Sequence, residues 1–338
     1  MAKRIAVFGE VMMRLQVPGY DLLSQAGSLN FSFSGTGVNV GSALARFGHT
    51  GYLVTTLPMN SVGDAAMAYL RKLGLTTTFM MRGGQYIGMY FLENGFGARP
   101  SRVTYSNRLE SSFNTAPEGT YDYEAIAEEA DVVHFCGITL AMNDSVRDHM
   151  KSLAKAVKAR GGTVVFDCNY RPSLWGADGY EKAKPHYEDM LRLADIVMMN
   201  EKDAIFILGM HTDKETRSEQ LAELIPEVAA QYGIRVAAGT HRSINGDNTH
   251  SLQGFIYKNQ NFSYSKKLTF SVYDRIGAGD AYTSGIVHGE LSGFSPGKTV
   301  EFAAAAGMLA HTIAGDTPMS SESEVLRAMT EAVGDVER

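Results

Sequence analysis

Cysteine is scarce in this chain: Cys136 and Cys168 stand alone among 338 residues, each beside an apolar run and neither in a CxxC or Cys/His spacing. A disulfide framework or a structural zinc site is therefore not expected, and a reducing, cytoplasmic setting is. The nine histidines form no HExxH pair, so none is assigned to catalysis. Basic residues are not in excess, with 31 Lys and Arg against 37 Asp and Glu and a net charge of −6. That balance argues against a nucleic-acid or anionic-membrane partner, while leaving room for a local basic pocket. No apolar run reaches the length of a membrane span, and the one after Lys3-Arg4 is too short for a signal core and reads as a first strand.

The composition, 44% hydrophobic and 20% charged, is that of an ordinary globular protein. Its length suits one large α/β domain with an insertion or two modest domains, and length by itself does not choose. Strand-like apolar runs at Arg4–Gly9, Tyr52–Thr56, Asp131–Phe135, Thr163–Asp167, Asp195–Met199 and Ile234–Ala238 alternate with amphipathic stretches such as Ser145–Arg160 and Ser218–Tyr232. Apolar strands separated by helical crossovers predict a mainly parallel sheet flanked by helices. Two segments, 12–33 and 86–108, break this rhythm with alternating polar, aromatic and apolar residues. They predict a small antiparallel sheet, either a lid over a ligand site or a pair of surface hairpins.

Two glycine-rich stretches carry the chemistry. After the strand-like Leu268–Val272, Asp274-Arg275-Ile276-Gly277-Ala278-Gly279-Asp280 enters a helix. Gly277 and Gly279 free backbone N–H groups at the helix start to face an anion, and Asp280 stands where it serves equally as N-cap or as general base. Near the other end of the chain, Gly35-Thr36-Gly37-Val38-Asn39-Val40-Gly41 leads into the helical Ala43–Phe47. It matches neither a Walker ending nor GxGxxG. Its glycines suit close ligand approach or helix–sheet packing, and Asn39 offers both a donor and an acceptor.

In this order, and with Val7-Phe8-Gly9-Glu10 and Ser61-Val62-Gly63-Asp64, the two stretches resemble the signatures of the ribokinase-like carbohydrate kinases, the phosphofructokinase-B family. The resemblance covers essentially the whole chain, 1–338, as a single domain. It implies an α/β core that binds ATP and magnesium, a small β-sheet lid over the sugar, Asp280 as catalytic base, and Gly277, Ala278 and Gly279 as the anion hole. It further implies sugar contacts from Gly35, Gly37, Asn39 and Asp274, a site for a monovalent cation, and a homodimer paired through the lid.

Within that family the chain is most similar to 2-keto-3-deoxygluconate kinases. The similar segments are Gly88–Leu92, Arg102–Tyr105 and Asp167–Trp175. This likeness places Tyr90, Tyr105 and Arg171 against the substrate, and the forked guanidinium of Arg171 suits a sugar carboxylate. The family's second lid arginine is displaced: Asn107 holds its position and Arg108 follows one residue later, so only a bulge would bring Arg108 to the pocket. Without an anionic partner for Arg171, a neutral sugar such as fructose or ribose becomes the substrate. A non-catalytic sugar- or nucleotide-binding protein is the reading from a different class.

On the nucleotide side, Asn200-Glu201-Lys202-Asp203 resembles the family's Asn-x-x-Glu element, with the shorter Asp203 reaching magnesium through water. Gly239-Thr240-His241-Arg242 resembles the turn beside the nucleotide, and its usual second glycine is missing. The small residues of Ala303–Ala310 suit a border for adenine or close helix packing.

Overall fold

The computed structural model describes residues 2–330, so residue 1 and residues 331–338 of the expected domain lie outside the described residues. Strands run in the order β1 (Arg4–Phe8), β2 (Met12–Gln16), β3 (Asn30–Ser34), β4 (Thr50–Leu57), β5 (Met80–Arg82), β6 (Gly88–Glu93) and β7 (Arg102–Ser106). They continue as β8 (Val132–Cys136), β9 (Thr163–Asp167), β10 (Ile196–Met198), β11 (Val236–Ile244), β12 (His250–Lys258), β13 (Asn261–Tyr264) and β14 (Leu268–Phe270). Among the described residues they join into two sheets.

The large sheet has the order β13-β12-β11-β10-β9-β8-β1-β4-β5, with β14 also pairing β12. Strands β5 to β11 along this path are parallel, as their apolar runs and helical crossovers predict. β12, β13 and β14 close one side as antiparallel strands. Helices cover both faces, and the alternation along β1 shows why both faces are apolar: Ala6 and Phe8 enter one core with Phe135 and Phe166, Ile5 and Val7 the other with Ile286 and Phe302.

Strands β3-β2-β6-β7 form the small sheet within the expected segments. It is mixed, not antiparallel: each hairpin is antiparallel, but β2 and β6 pair in parallel. β2 follows β1 and β6 follows β5, so the hairpins leave parallel strands of the large sheet in the same direction.

A second difference concerns the first glycine-rich stretch. The helix begins at Thr36, not near Ala43, so Gly37 and Gly41 are helical. A Cβ on Gly41 would lie 2.8 Å from Leu75 and 2.9 Å from Val7. These two glycines therefore serve helix–sheet packing.

The helices Ala278–Leu291 and Pro296–Ala310 are in close contact: a Cβ on Gly285 would lie 2.5 Å from Ala303 Cα. Ala303 to Ala306 are buried, which assigns that small-residue run to packing. Gly285→Ala is expected to lower stability by about 1–3 kcal/mol through overpacking, read as a drop in the thermal midpoint. An unchanged midpoint would show slack between the helices.

Candidate active site

The carboxyl ends of β1, β9, β10 and β11 open beneath the small sheet, and a cavity of about 850 Å³ lies between them. This edge of a parallel sheet is where helix N-termini and strand-end loops converge, so it concentrates backbone donors and polar side chains.

The glycine loop before the helix is held by sterics. Gly277 has φ 79°, and a Cβ there would lie 1.7 Å from the Asp316 carbonyl oxygen, so no other residue fits. Gly277 is the N-cap of the following helix and provides no side-chain capping bond, leaving the first amides aimed at the cavity. Asp280 falls in the first turn and is not the cap. Its Oδ2 accepts a 2.7 Å hydrogen bond from Asn39 Nδ2, while Asn39 Oδ1 accepts from Thr317 Oγ1 at 3.2 Å. Asn39 is thereby oriented and Asp280 faces the cavity.

Burial raises the Asp280 carboxyl to about 6, against the Asn39 hydrogen bond and the charge of Arg171. Two further carboxylates share this wall. Asp167, at the end of β9, accepts from Thr283 Oγ1 at 3.3 Å and is raised to about 7 by burial and then by Asp280. Asp203 accepts from the Asn200 amide at 2.8 Å and is likewise raised to about 7 by burial, with Asp167 adding to the effect. Among the described residues no three metal-ligating side chains converge. Asp167 and Asp203 are oxygen donors of the kind a hydrated magnesium ion meets through its waters.

The small sheet forms the opposite wall. Tyr105 and Arg108 line the cavity, and the expected bulge takes another form: Asn107, just past β7, has φ 52°. That left-handed residue turns the chain so that Arg108 is buried at 8% exposure, with Nε donating to Glu10 Oε2 at 2.8 Å. Its guanidinium carbon stands 4.8 Å from the Tyr105 ring centre. Nη1 of Arg108 is buried with no partner. Tyr90 donates to Asp316 and contacts Ser34 Oγ at 3.1 Å, and burial pushes its hydroxyl up to about 12.

Arg171 also lines the cavity; it is exposed, and Nη1 donates to the Tyr170 carbonyl at 3.3 Å. Gly35, Asn200, Gly239 and Thr240 reach the cavity as well. A Cβ on Gly35 would lie 2.2 Å from the Glu10 carbonyl, and one on Gly239 2.3 Å from that of Met199.

Two expected contacts are not on the cavity surface. Gly37 faces Leu53 and the end of β1, because it is inside the helix. Asp274 is turned away: Oδ2 accepts from Arg14 Nη2 at 2.8 Å and from the Gly315 amide at 3.1 Å, and Oδ1 accepts from the Ile276 amide at 3.1 Å.

Sequence reasoning missed Arg14, Asp316, Glu10 and Asp167. Arg14, 1% exposed, donates to both Asp274 and Asp316, which joins the small sheet to the loops on either side of the anion site. The available signal was an arginine sharing a strand face with Met12, a buried position of β2.

A carboxyl raised by burial costs stability only while ionised. For Asp280 that cost is absent below about pH 4, grows through its folded value of about 6, and is complete above it. Asp280→Asn should therefore stabilise the fold, by up to about 3 kcal/mol near pH 8 and hardly at all at pH 4. Thermal melts of both proteins across that range check this; a stability difference between variant and wild type that does not grow as the pH rises would contradict it.

The sequence pattern of the pfkB family carbohydrate kinases matches residues 2–323. A structure from Enterococcus faecalis, provisionally named a 2-keto-3-deoxygluconate kinase, is 40% identical, superposes with a TM-score of 0.95 and covers 100% of this chain and 99% of its own. The 2-dehydro-3-deoxygluconokinase of Thermotoga maritima is 33% identical, with a TM-score of 0.92 over 97% of this chain and 100% of its own. The 2-dehydro-3-deoxygalactonokinase of Haloferax volcanii is 26% identical over 329 residues, 97% of each chain. Sequence pattern and ribokinase-like architecture agree over nearly the whole length, and the chain belongs to the pfkB family of carbohydrate kinases.

Proposed function

We propose that this chain transfers the terminal phosphoryl group of ATP, with magnesium, to the primary hydroxyl of 2-keto-3-deoxygluconate, giving 2-keto-3-deoxy-6-phosphogluconate. The observation that carries the choice of substrate is the pair of guanidinium side chains, Arg108 and Arg171, in the cavity wall. A sugar carboxylate supplies the anionic acceptor that a neutral ketose lacks. Arg171, which has no carboxylate partner among the described residues, provides a second cation. The relatives from Enterococcus faecalis and Thermotoga maritima support the same substrate by their names.

In this reading Asn39 holds Asp280 in line with the hydroxyl, and Asp280 accepts its proton as the oxygen attacks phosphorus. The amides of Gly277, Ala278 and Gly279 stabilise the charge on the phosphoryl oxygens, and the leaving ADP departs on the opposite side. Asn200, Gly239 and Thr240 border the nucleotide. Magnesium supplies charge neutralisation to the phosphates, and Asp203 and Asp167 would hold it through water. Gly35, Tyr90 and Tyr105 enclose the sugar, and the small sheet acts as a lid that excludes water from the reacting phosphoryl group. Asp274 acts on the sugar indirectly, by fixing Arg14.

The free, buried thiols of Cys136 and Cys168 fit a cytoplasmic enzyme, and Phe31, 64% exposed on β3, fits a homodimer paired through the small sheets. Among the described residues no helix is long and apolar enough to cross a membrane.

An ADP-release assay with 2-keto-3-deoxygluconate, its galacto epimer, gluconate, fructose and ribose tests the reading. The keto-deoxy acid is expected to be preferred. Arg108→Lys, which keeps the charge facing Glu10 but loses the fork, is expected to raise its KM about tenfold or more while leaving that for ATP unchanged. Turnover of fructose or ribose alone would overturn the substrate, and preference for the galacto epimer would reassign it.

A further inference from the structure

We infer that Arg242 and Arg275 form a clamp for the polyphosphate chain of the donor nucleotide, an inference that rests on the kinase reading above. The two arginines come from different elements. Arg242 follows Thr240 by two residues on β11, so both project from one face of the strand into the cavity. His241 between them projects from the other face and meets Glu201 Oε2 at 3.0 Å. Arg275 precedes the anion loop by two residues and also lines the cavity.

Neither guanidinium forms a hydrogen bond or ion pair among the described residues, and each feels the other's positive charge. The groups around them bring no compensating negative charge. His311 lines the cavity and His250 packs near it with ring centres 6.1 Å apart. Burial holds both imidazoles below their ordinary value, and the two arginines hold them lower still. His311 Nδ1 is 2.7 Å from the Gly307 carbonyl, to which it donates, and its Nε2 is buried without a partner. Asp274, next to Arg275 in sequence, and Asp316, on the cavity wall, are taken by Arg14.

Arg242 is exposed and Arg275 half-buried, so water screens part of their repulsion; two free guanidinium groups on one stretch of cavity wall still favour an anion with charge on several linked groups, which meets both. The sugar carboxylate is not that anion, since Arg108 reaches the cavity from the small sheet and Arg171 from the end of β9. β11 is four strands from β1 along the large sheet. A polyphosphate with its terminal group at the Gly277 loop and its inner groups at Arg242 and Arg275 leaves the metal-facing side to Asp167 and Asp203. The turn expected after Gly239 is instead an uninterrupted run of β11, and the clamp supplies contacts there from a strand side chain.

Calorimetry with ADP, inorganic tripolyphosphate and adenosine, on wild type and on Arg242→Gln, Arg275→Gln and the double variant, tests the clamp without sugar or turnover. Each single change is expected to weaken ADP and tripolyphosphate about tenfold, and the double change more. Adenosine affinity and the KM for the sugar acid should stay unchanged, and the melting temperature should not fall, since neither side chain has a protein partner to lose and each change removes a like-charge repulsion. If wild type binds ADP and tripolyphosphate and the double variant binds them equally well, the clamp is wrong and the kinase reading stands. If the sugar KM rises instead, the arginines belong to the sugar site and the clamp is wrong. Failure of wild type to bind either would remove the clamp and the ATP donor together.

Discussion

The buried guanidinium of Arg14 is the contact on which the geometry of the site depends. It comes from β2 of the small sheet and is shared between Asp274, three residues before Gly277, and Asp316, whose backbone packs against Gly277. Three buried charges survive only if their remaining hydrogen-bonding capacity is met. Here Gln16 accepts from Arg14, the Ile276 and Gly315 amides serve Asp274, and Ser34 and Tyr90 serve Asp316. The Asp316 backbone, held by the same network, is what excludes any side chain at Gly277. Small sheet, tyrosine wall and anion loop are thus positioned by one cluster, and loss of Arg14 would leave two carboxylates buried and uncompensated.

Around this cluster the cavity separates charge by region. Asp280, Asp167 and Asp203 sit together where burial holds all three carboxyls up and a neighbouring carboxylate adds to it at Asp167 and Asp203, while Arg108, Arg171, Arg242 and Arg275 occupy the approaches. Neither group is fully compensated within the protein. Such stored repulsion lowers stability and is relieved by ligands of opposite charge, the usual balance between stability and activity at a prepared site. A phosphate donor with a divalent cation and a sugar acid match these regions.

Much of this was legible in the residues. The parallel core followed from apolar runs between amphipathic helices, and the loop-to-helix turn at Gly277 followed from its glycines. The contacts that escaped are those joining distant positions: Arg14 and Asp316 are 302 residues apart, and no local pattern pairs them. The parallel pairing of β2 with β6 depends on where two hairpins leave the core, which alternation within each hairpin does not encode. Arg108 looked out of register because strand periodicity was extended past Ser106, where Asn107 leaves the β region. Gly37 was open between ligand and packing roles, and helix placement decided for packing.

If the Arg14 cluster holds the small sheet over the cavity before any ligand arrives, amide hydrogen exchange of the ligand-free protein measures this directly. In Arg14→Gln, peptides covering 12–16 and 88–93 should exchange faster than in wild type, while those covering 163–167 and 196–198 keep their protection. Equal exchange of the small sheet in both proteins, with the core equally intact, would contradict the account.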